Sequence, residues 1–142
     1  MTRKHDHWAT PKEFYDKLNS EFNFEFDPCP LNSSFNGLEI NWKSSNFVNP
    51  PYSRELKEAF INKGLLEAKN GNTSVFLLPV STSTKIFHEV ILPNAEIRFI
   101  RRRLRFLEYG DDNRKSTTGT KDLMLVIFRG NKYGTTKNIK LS

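Results

Sequence analysis

The sequence predicts an α/β fold, a three-layer sandwich on a mixed sheet that becomes antiparallel toward its carboxyl-terminal end. Three observations carry that expectation. Apolar stretches of strand length alternate with stretches of helical periodicity, the pattern of strands joined by helical crossovers. "SVFLLPV" at 74–80 is too apolar for a half-exposed strand and requires cover on both faces. The last two strand-like stretches, 96–109 and 122–129, have no clear helix between them, which fits an antiparallel pair.

Each element has its own local signal. Thr10, Pro11 and Glu13 read as a helix start, with Thr10 as N-cap, Pro11 in the first position and Glu13 completing a capping box. Phe14, Leu18 and Phe22 then fall on one face. "FNFEF" at 22–26 alternates like a strand and stops at Asp27-Pro28-Cys29-Pro30. Residues 31–45 are rich in Asn and Ser and read as loop and turn, and "NFV" at 46–48 is the second strand. A helix over 54–69 turns Leu56, Ala59 and Phe60 inward and ends at Asn70-Gly71. Another over 82–92 is stopped by Pro93. "EIRFIRRRLRFLEYG" at 96–110 alternates as one strand, and "DLMLVIFRG" at 122–130 is the last.

A length of 142 residues fits one domain over 1–142, with a core at about 8–130 and a polar tail at 131–142. No apolar stretch approaches the length that spans a bilayer, and the start "MTRKHDHWATP" lacks the apolar core of a signal peptide. A soluble protein of the cytoplasm, with no membrane partner, is the expectation. One cysteine, Cys29, excludes an internal disulfide and a cysteine zinc site; His5, His7 and His88 are poorly placed for a metal, and none is expected.

The net charge of +6 is uneven: residues 1–96 carry 10 Lys/Arg against 12 Asp/Glu, whereas residues 97–142 carry 12 against 4, a net +8. A solvated basic face is one reading of that end, and a phosphate-binding surface is the other. The segment 101–122, with Arg101, Arg102, Arg103, Arg105, Arg114, Lys115 and Lys121, is the expected contact with nucleic acid.

"NFVNPPYS" at 46–53 points to chemistry. Proline fixes its own φ and biases the residue before it toward an extended shape, so the backbone at Asn49 and Pro50 is stiff before anything binds. Asn49 to Tyr52 leave a strand at its carboxyl end, where open α/β sheets hold ligands. An exocyclic amine on an aromatic ring is a poor nucleophile because its lone pair is delocalised. Two acceptors aimed at its hydrogens, the Asn49 side-chain oxygen and the Pro50 carbonyl held by Pro51, would concentrate that lone pair. Tyr52 would stack on the ring, as enzymes do with a base taken out of the duplex. Asp27 ends another strand, as a ligand-holding carboxylate or only a turn residue before Pro28. Glu39, twelve positions on, is placed for a ribose hydroxyl pair or is an exposed loop charge.

"WATP" at 8–11, "DPCP" at 27–30, "NPPY" at 49–52, "VFLLPVSTSTKIFHEVI" at 75–91 and "RRRLRF" at 101–106 stand in the order found in phage-type DNA N-6-adenine methyltransferases. The chain resembles that family from about Trp8 to Gly130. The resemblance implies a Rossmann-like methyltransferase fold and S-adenosylmethionine-dependent transfer to adenine N6 in DNA. It also implies a phage or prophage origin, in a bacterial host. It makes Asn49, Pro50, Pro51 and Tyr52 the catalytic loop and puts Trp8, Thr10 and Pro11 with Asp27, Pro28 and Cys29 around the cofactor's methionine part. Arg103 and Arg105 fall in a segment that faces DNA in the family. Pro30 stands where the family usually has alanine, and Asn41-Trp42 where it has Asp-Trp. Two alternatives stay open: a catalytically silent DNA-binding module of the same fold, or transfer to a protein glutamine amide. A monomer or weak dimer is expected.

Overall fold

A computed structural model of the chain describes residues 8–30, 33–108, 116–118 and 121–130. In chain order the elements are β1 (Trp8–Ala9), α1 (Lys12–Phe22), β2 (Ser45–Val48), α2 (Arg54–Lys69) and β3 (Thr73–Pro79). A π-helical turn (Phe87–Ile91) then runs into α3 (Leu92–Asn94), followed by β4 (Glu96–Phe99), β5 (Arg105–Glu108), β6 (Ser116–Thr118) and β7 (Leu123–Phe128). Arg114, Lys115 and the tail at 131–142 lie outside the described residues.

The strands form a four-stranded open sheet in the order β2-β3-β7-β4 and a three-stranded sheet in the order β1-β5-β6. In the larger sheet β2 and β3 are parallel, with Phe47 opposite Val75. β7 runs antiparallel to β3 (Phe76 opposite Val126) and to β4 (Ile97 opposite Val126). The sheet is therefore mixed, as expected. The late pair, β4 with β7, is antiparallel and ends the sheet, as expected, with β7 on the inner side, and burial explains that placement. All six residues of β7 are buried, so it needs neighbours on both sides, whereas β4 is only half covered and takes the edge.

Two of the expected strands are corrected. Phe22 closes α1, Asn23 takes the left-handed conformation at φ 50° as its C-cap, and the "FNFEF" stretch reduces to one parallel bridge between Phe26 and Asn46. Residues 96–109 are not one strand. Ile100 still donates to the Leu123 carbonyl at 3.1 Å, but β7 begins there and offers 101–104 no partner. Three consecutive arginines then turn the chain out, and Arg105 opens β5 in the other sheet. Pro93 likewise does not stop its helix. It sits in the last turn, just after the Leu92 N–H reaches the Phe87 carbonyl in the wider π register.

Two apolar layers cover the sheet. Phe14, Tyr15, Leu18 and Phe22 of α1 pack on Phe47, Val75, Leu77 and Leu125. On the other face Phe60 and Ile61 of α2, with Phe87 and Ile91, pack on Val48, Phe76, Leu78 and Val126. Each such fully buried side chain contributes about 1.5–3 kcal/mol relative to exposure. The expected inward face of α2 is partly corrected: Phe60 is buried, but Leu56 is 39% exposed, and Ile61, Ala68 and the close-packed Gly64 complete the buried stripe. Asn46 is fully buried within β2 and pins its entry. Its Nδ2 donates to the Lys43 and Thr73 carbonyls at 2.7 and 3.0 Å, and its Oδ1 accepts from the Lys43 N–H.

The topology decides where a site can be. Residues 24–26, β2, β3 and β4 all point the same way, so Asp27, Asn49, Val80 and Ile100 emerge together at one edge of the sheet. No helix among the described residues is long and apolar enough to cross a membrane.

Candidate active site

The sharpest contact at that edge joins two motifs 39 residues apart. Asn49 Nδ2 donates a 2.9 Å hydrogen bond to Thr10 Oγ1. This corrects the capping expectation. The N-cap of α1 is Pro11, with no side-chain cap, and the Tyr15 N–H bonds the Pro11 carbonyl at 3.0 Å. Thr10 therefore lies one residue outside the helix, and its hydroxyl crosses to the end of β2 instead. β1 immediately precedes Thr10 and pairs with β5, with Trp8 opposite Glu108, so the same short segment ties the catalytic-loop candidate to the second sheet.

Pro50 and Pro51 are buried, and Tyr52 is half buried, which pushes its phenol pKa up. Its ring stacks on no other described aromatic side chain, and its hydroxyl has no hydrogen-bond partner among the described residues. Ser53 follows as the N-cap of α2 without accepting a side-chain cap bond, and its Oγ is buried with no partner among the described residues.

Asp27 lies open to solvent, yet its carboxyl is pushed up to about 6, mainly because surrounding protein displaces water from around it. The Cys29 N–H donates to Asp27 Oδ1 at 2.9 Å and pulls the other way, more weakly. Burial, then the Asp27 charge, pushes the Cys29 thiol up to about 12, so it stays neutral. The Asp27 charge also raises the pKa of Tyr15, after burial; Tyr15, which the sequence gave no reason to single out, stands edge-on to Phe47 beneath this corner.

Beside Asp27 opens a hollow of about 340 Å³ lined by Pro28, Cys29, Phe35, Gly37, Leu56 and Phe60 among others. Gly37 shapes it: a Cβ there would lie 1.8 Å from the Pro28 carbonyl oxygen, so only glycine lets the 33–39 loop close on that backbone. Trp42 is a core residue that supports this loop, donating from Nε1 to the Gly37 carbonyl at 2.8 Å and stacking on Phe60. Glu39 is exposed beyond the lining, in a turn where its N–H bonds the Asn36 carbonyl. The lining is mainly apolar with Ser33 and Asn36 among it, and Asp27 precedes the lining residue Pro28 in the chain.

Cations collect at the same edge. Arg101 and Arg102 are exposed and form no ion pair among the described residues. Arg103 reaches Asp122 at 3.3 Å, and Lys121 is exposed beside it. Arg103 lies in the connection between β4 and β5, so the alternation expected of Arg103 and Arg105 along one strand does not hold. Lys57 in the first turns of α2 was not anticipated. Its pKa is lowered by burial and then by the charge of Lys121, which brings α2 to this cluster. Lys85 is exposed, and His88 Nε2 lies 2.6 Å from the Thr82 carbonyl, a contact that braces the turn after β3.

A search of curated proteins returns no match. The sequence model of one family, described as DNA N-6-adenine-methyltransferase (Dam), matches residues 1–140. With nearly the whole chain covered and its motifs gathered at one sheet edge, the protein belongs to the DNA N-6-adenine-methyltransferase family.

Proposed function

We propose that the protein transfers a methyl group from S-adenosylmethionine to the N6 amine of adenine in DNA, on a Rossmann-like single-domain methyltransferase fold. The observation that supports this most is the 2.9 Å bond from Asn49 to Thr10, which orients the Asn49 amide beside an unstacked Tyr52 at the carboxyl edge of the sheet. When bound, the cofactor supplies a methyl group on a sulfonium, already activated for in-line transfer.

The remaining work falls to the chain. Asp27 would hold the ammonium end of the cofactor's methionine part, with Trp8, Pro11, Pro28 and Cys29 around it. The hollow walled by Phe35, Leu56 and Phe60 would take the adenosine end, with Glu39 reaching a ribose hydroxyl from outside it. Tyr52 would stack on an adenine flipped from the duplex or supplied single-stranded. The Asn49 amide oxygen and the Pro50 carbonyl, held by Pro51, would accept the two N6 hydrogens and concentrate the lone pair on nitrogen. Such preorganised acceptors, together with orientation, supply the acceleration. Arg101, Arg102, Arg103, Arg105, Arg114, Lys115 and Lys121 would meet DNA phosphates and groove. A phage- or prophage-encoded enzyme acting in the bacterial cytoplasm fits this reading.

The test is direct. Purified protein is incubated with S-adenosylmethionine and DNA, and nucleosides are analysed by mass spectrometry. N6-methyladenine is expected with wild type and not with Asn49→Ala. Its absence, with tight DNA binding retained and no cofactor uptake by calorimetry, would sink the enzymatic reading and leave a DNA-binding module. Methylation of glutamine in added protein would redirect the acceptor.

A further inference from the structure

A small hollow on the α2 side of the sheet is not used by this reading. Lys57, Pro79, Ser81 and Thr84 stand among its lining residues, and at about 20 Å³ it is too small for a base or a cofactor. Lys57 stands one turn beyond Tyr52 and Ser53, so the hollow adjoins the catalytic-loop candidate. Strand register brings Lys121 to the same place. The Val80 N–H donates to the Asp122 carbonyl at 2.9 Å, so the residue before Asp122 lies against Val80 and Ser81.

Neither lysine has an ion-pair partner among the described residues. The carboxylates next to them in sequence are engaged elsewhere: Asp122 by Arg103 at 3.3 Å, and Glu58 by Arg54 at 3.2 Å. The Thr84 hydroxyl is also committed, donating to the Ser81 carbonyl at 3.0 Å and accepting from the Phe87 N–H at 3.3 Å. The Ser81 hydroxyl has no partner among the described residues. Two ammonium groups held together without a carboxylate repel each other, and an anion between them relieves that cost. Burial first, and then the charge of Lys121, lowers the Lys57 pKa, with Glu58 opposing them more weakly.

We propose that Lys57, Lys121 and the Ser81 hydroxyl seat one phosphodiester of bound DNA, next to the nucleotide presented to Tyr52. The proposal rests on the methyltransferase reading and deepens it by naming a backbone contact that fixes register on the strand. A phosphodiester fits better than a free nucleotide. The hollow admits no nucleoside, and the same edge continues into exposed Arg101 and Arg102, as a strand would require.

The test uses the whole chain and an oligonucleotide with a single adenine, with and without its complement. Lys57→Gln and Lys121→Gln should each lower the slope of log affinity against log salt by about one, while S-adenosylmethionine affinity by calorimetry stays within about twofold. A neutral methylphosphonate is then walked through the phosphates flanking the adenine. At one position wild type should lose affinity about tenfold while Lys57→Gln loses none further, because the contact is already gone. Ser81→Ala should show a smaller loss at that position. If every position costs Lys57→Gln as much as wild type, or if the lysine variants lose cofactor rather than DNA, the seat is wrong although the enzymatic reading stands. If wild type binds no DNA, both fall.

Discussion

The two ends of the main sheet carry the same kinds of side chain and treat them in opposite ways. At the end where β4 begins and β7 finishes, Arg98 makes a bidentate pair with Glu21 at 2.8 Å and a second bond to Glu96 at 2.7 Å. Arg129 reaches Glu96 at 2.9 Å. Both guanidinium groups lie over the Phe22 ring, 5.6 and 5.5 Å from its centroid. At the other end Arg101, Arg102, Lys57 and Lys121 form no ion pair among the described residues, and Asp27 pairs with no cation among them. A fold that neutralises its charge at one end has the means to do so at both. Under the proposed function, the unpaired charges mark the end where ligands would supply partners.

The largest effect is expected at the bare end. Asn49→Ala removes one acceptor and the bond to Thr10 but leaves β2 intact. Turnover is expected to fall on the order of 100-fold or more, with S-adenosylmethionine affinity within a few-fold. Loss of turnover smaller than threefold would remove Asn49 from the chemistry. Thr10→Val, which keeps shape and loses the hydroxyl, is expected to fall about tenfold in kcat, with Thr10→Ser restoring most of it. Next comes Tyr52→Ala. It should cost roughly 1–3 kcal/mol in capture of the target base through lost stacking, with Tyr52→Phe near wild type in single-turnover assays. A Phe variant as poor as Ala would shift the role to the hydroxyl.

Much of this architecture was legible in the residues. The helix at 54–69 and the buried strand at 74–80 follow from periodicity and apolar length, and they differ little from α2 and β3. The convergence of "DPCP" and "NPPY" on one edge follows from Asn49 leaving β2 and Asp27 following the single Phe26 bridge that runs parallel to it. What was not legible depended on partners far along the chain. Thr10 has the local chemistry of an N-cap, and only the tertiary position of Asn49 diverts its hydroxyl. The stretch 96–109 reads from sequence as one strand, but a strand continues only while a neighbour continues, and β7 ends the pairing at Leu123. Lys57 was invisible as a site residue because an isolated lysine on an amphipathic helix carries no local sign of Lys121.

Exchanging the treatment of charge at the two ends sharpens the comparison. Arg98→Gln is expected to lower stability by about 1 kcal/mol in urea unfolding, since it breaks a partly exposed network rather than one surface pair, and to leave DNA affinity unchanged. The double change Arg101→Gln and Arg102→Gln should do the reverse, with stability within about 0.5 kcal/mol and a salt dependence of DNA binding flatter by about two contacts. If Arg98→Gln weakens DNA binding as much as the double change, the two ends are not functionally distinct.

The smallest effect concerns Asp27, and its sign separates ligand binding from folding. Its carboxyl is raised from an ordinary 3.8 to about 6 by the displacement of water around it. Because the folded chain holds this proton more tightly than the unfolded one, the group's contribution to stability is fully present below about 3.8 and is lost as pH rises through about 6. Mild acidification should therefore stabilise the free protein through this residue. In the proposed role, holding the cofactor's ammonium end would need the ionised form, so binding should move the opposite way. Going from about pH 7 to about pH 5.5 lowers the ionised fraction, and with it S-adenosylmethionine affinity, by about fourfold. Asp27→Asn should bind more weakly at every pH and remove both dependences. Cofactor affinity that stays flat across this window in wild type would detach Asp27 from the ligand and leave it a turn residue before Pro28, bonded to the Cys29 N–H.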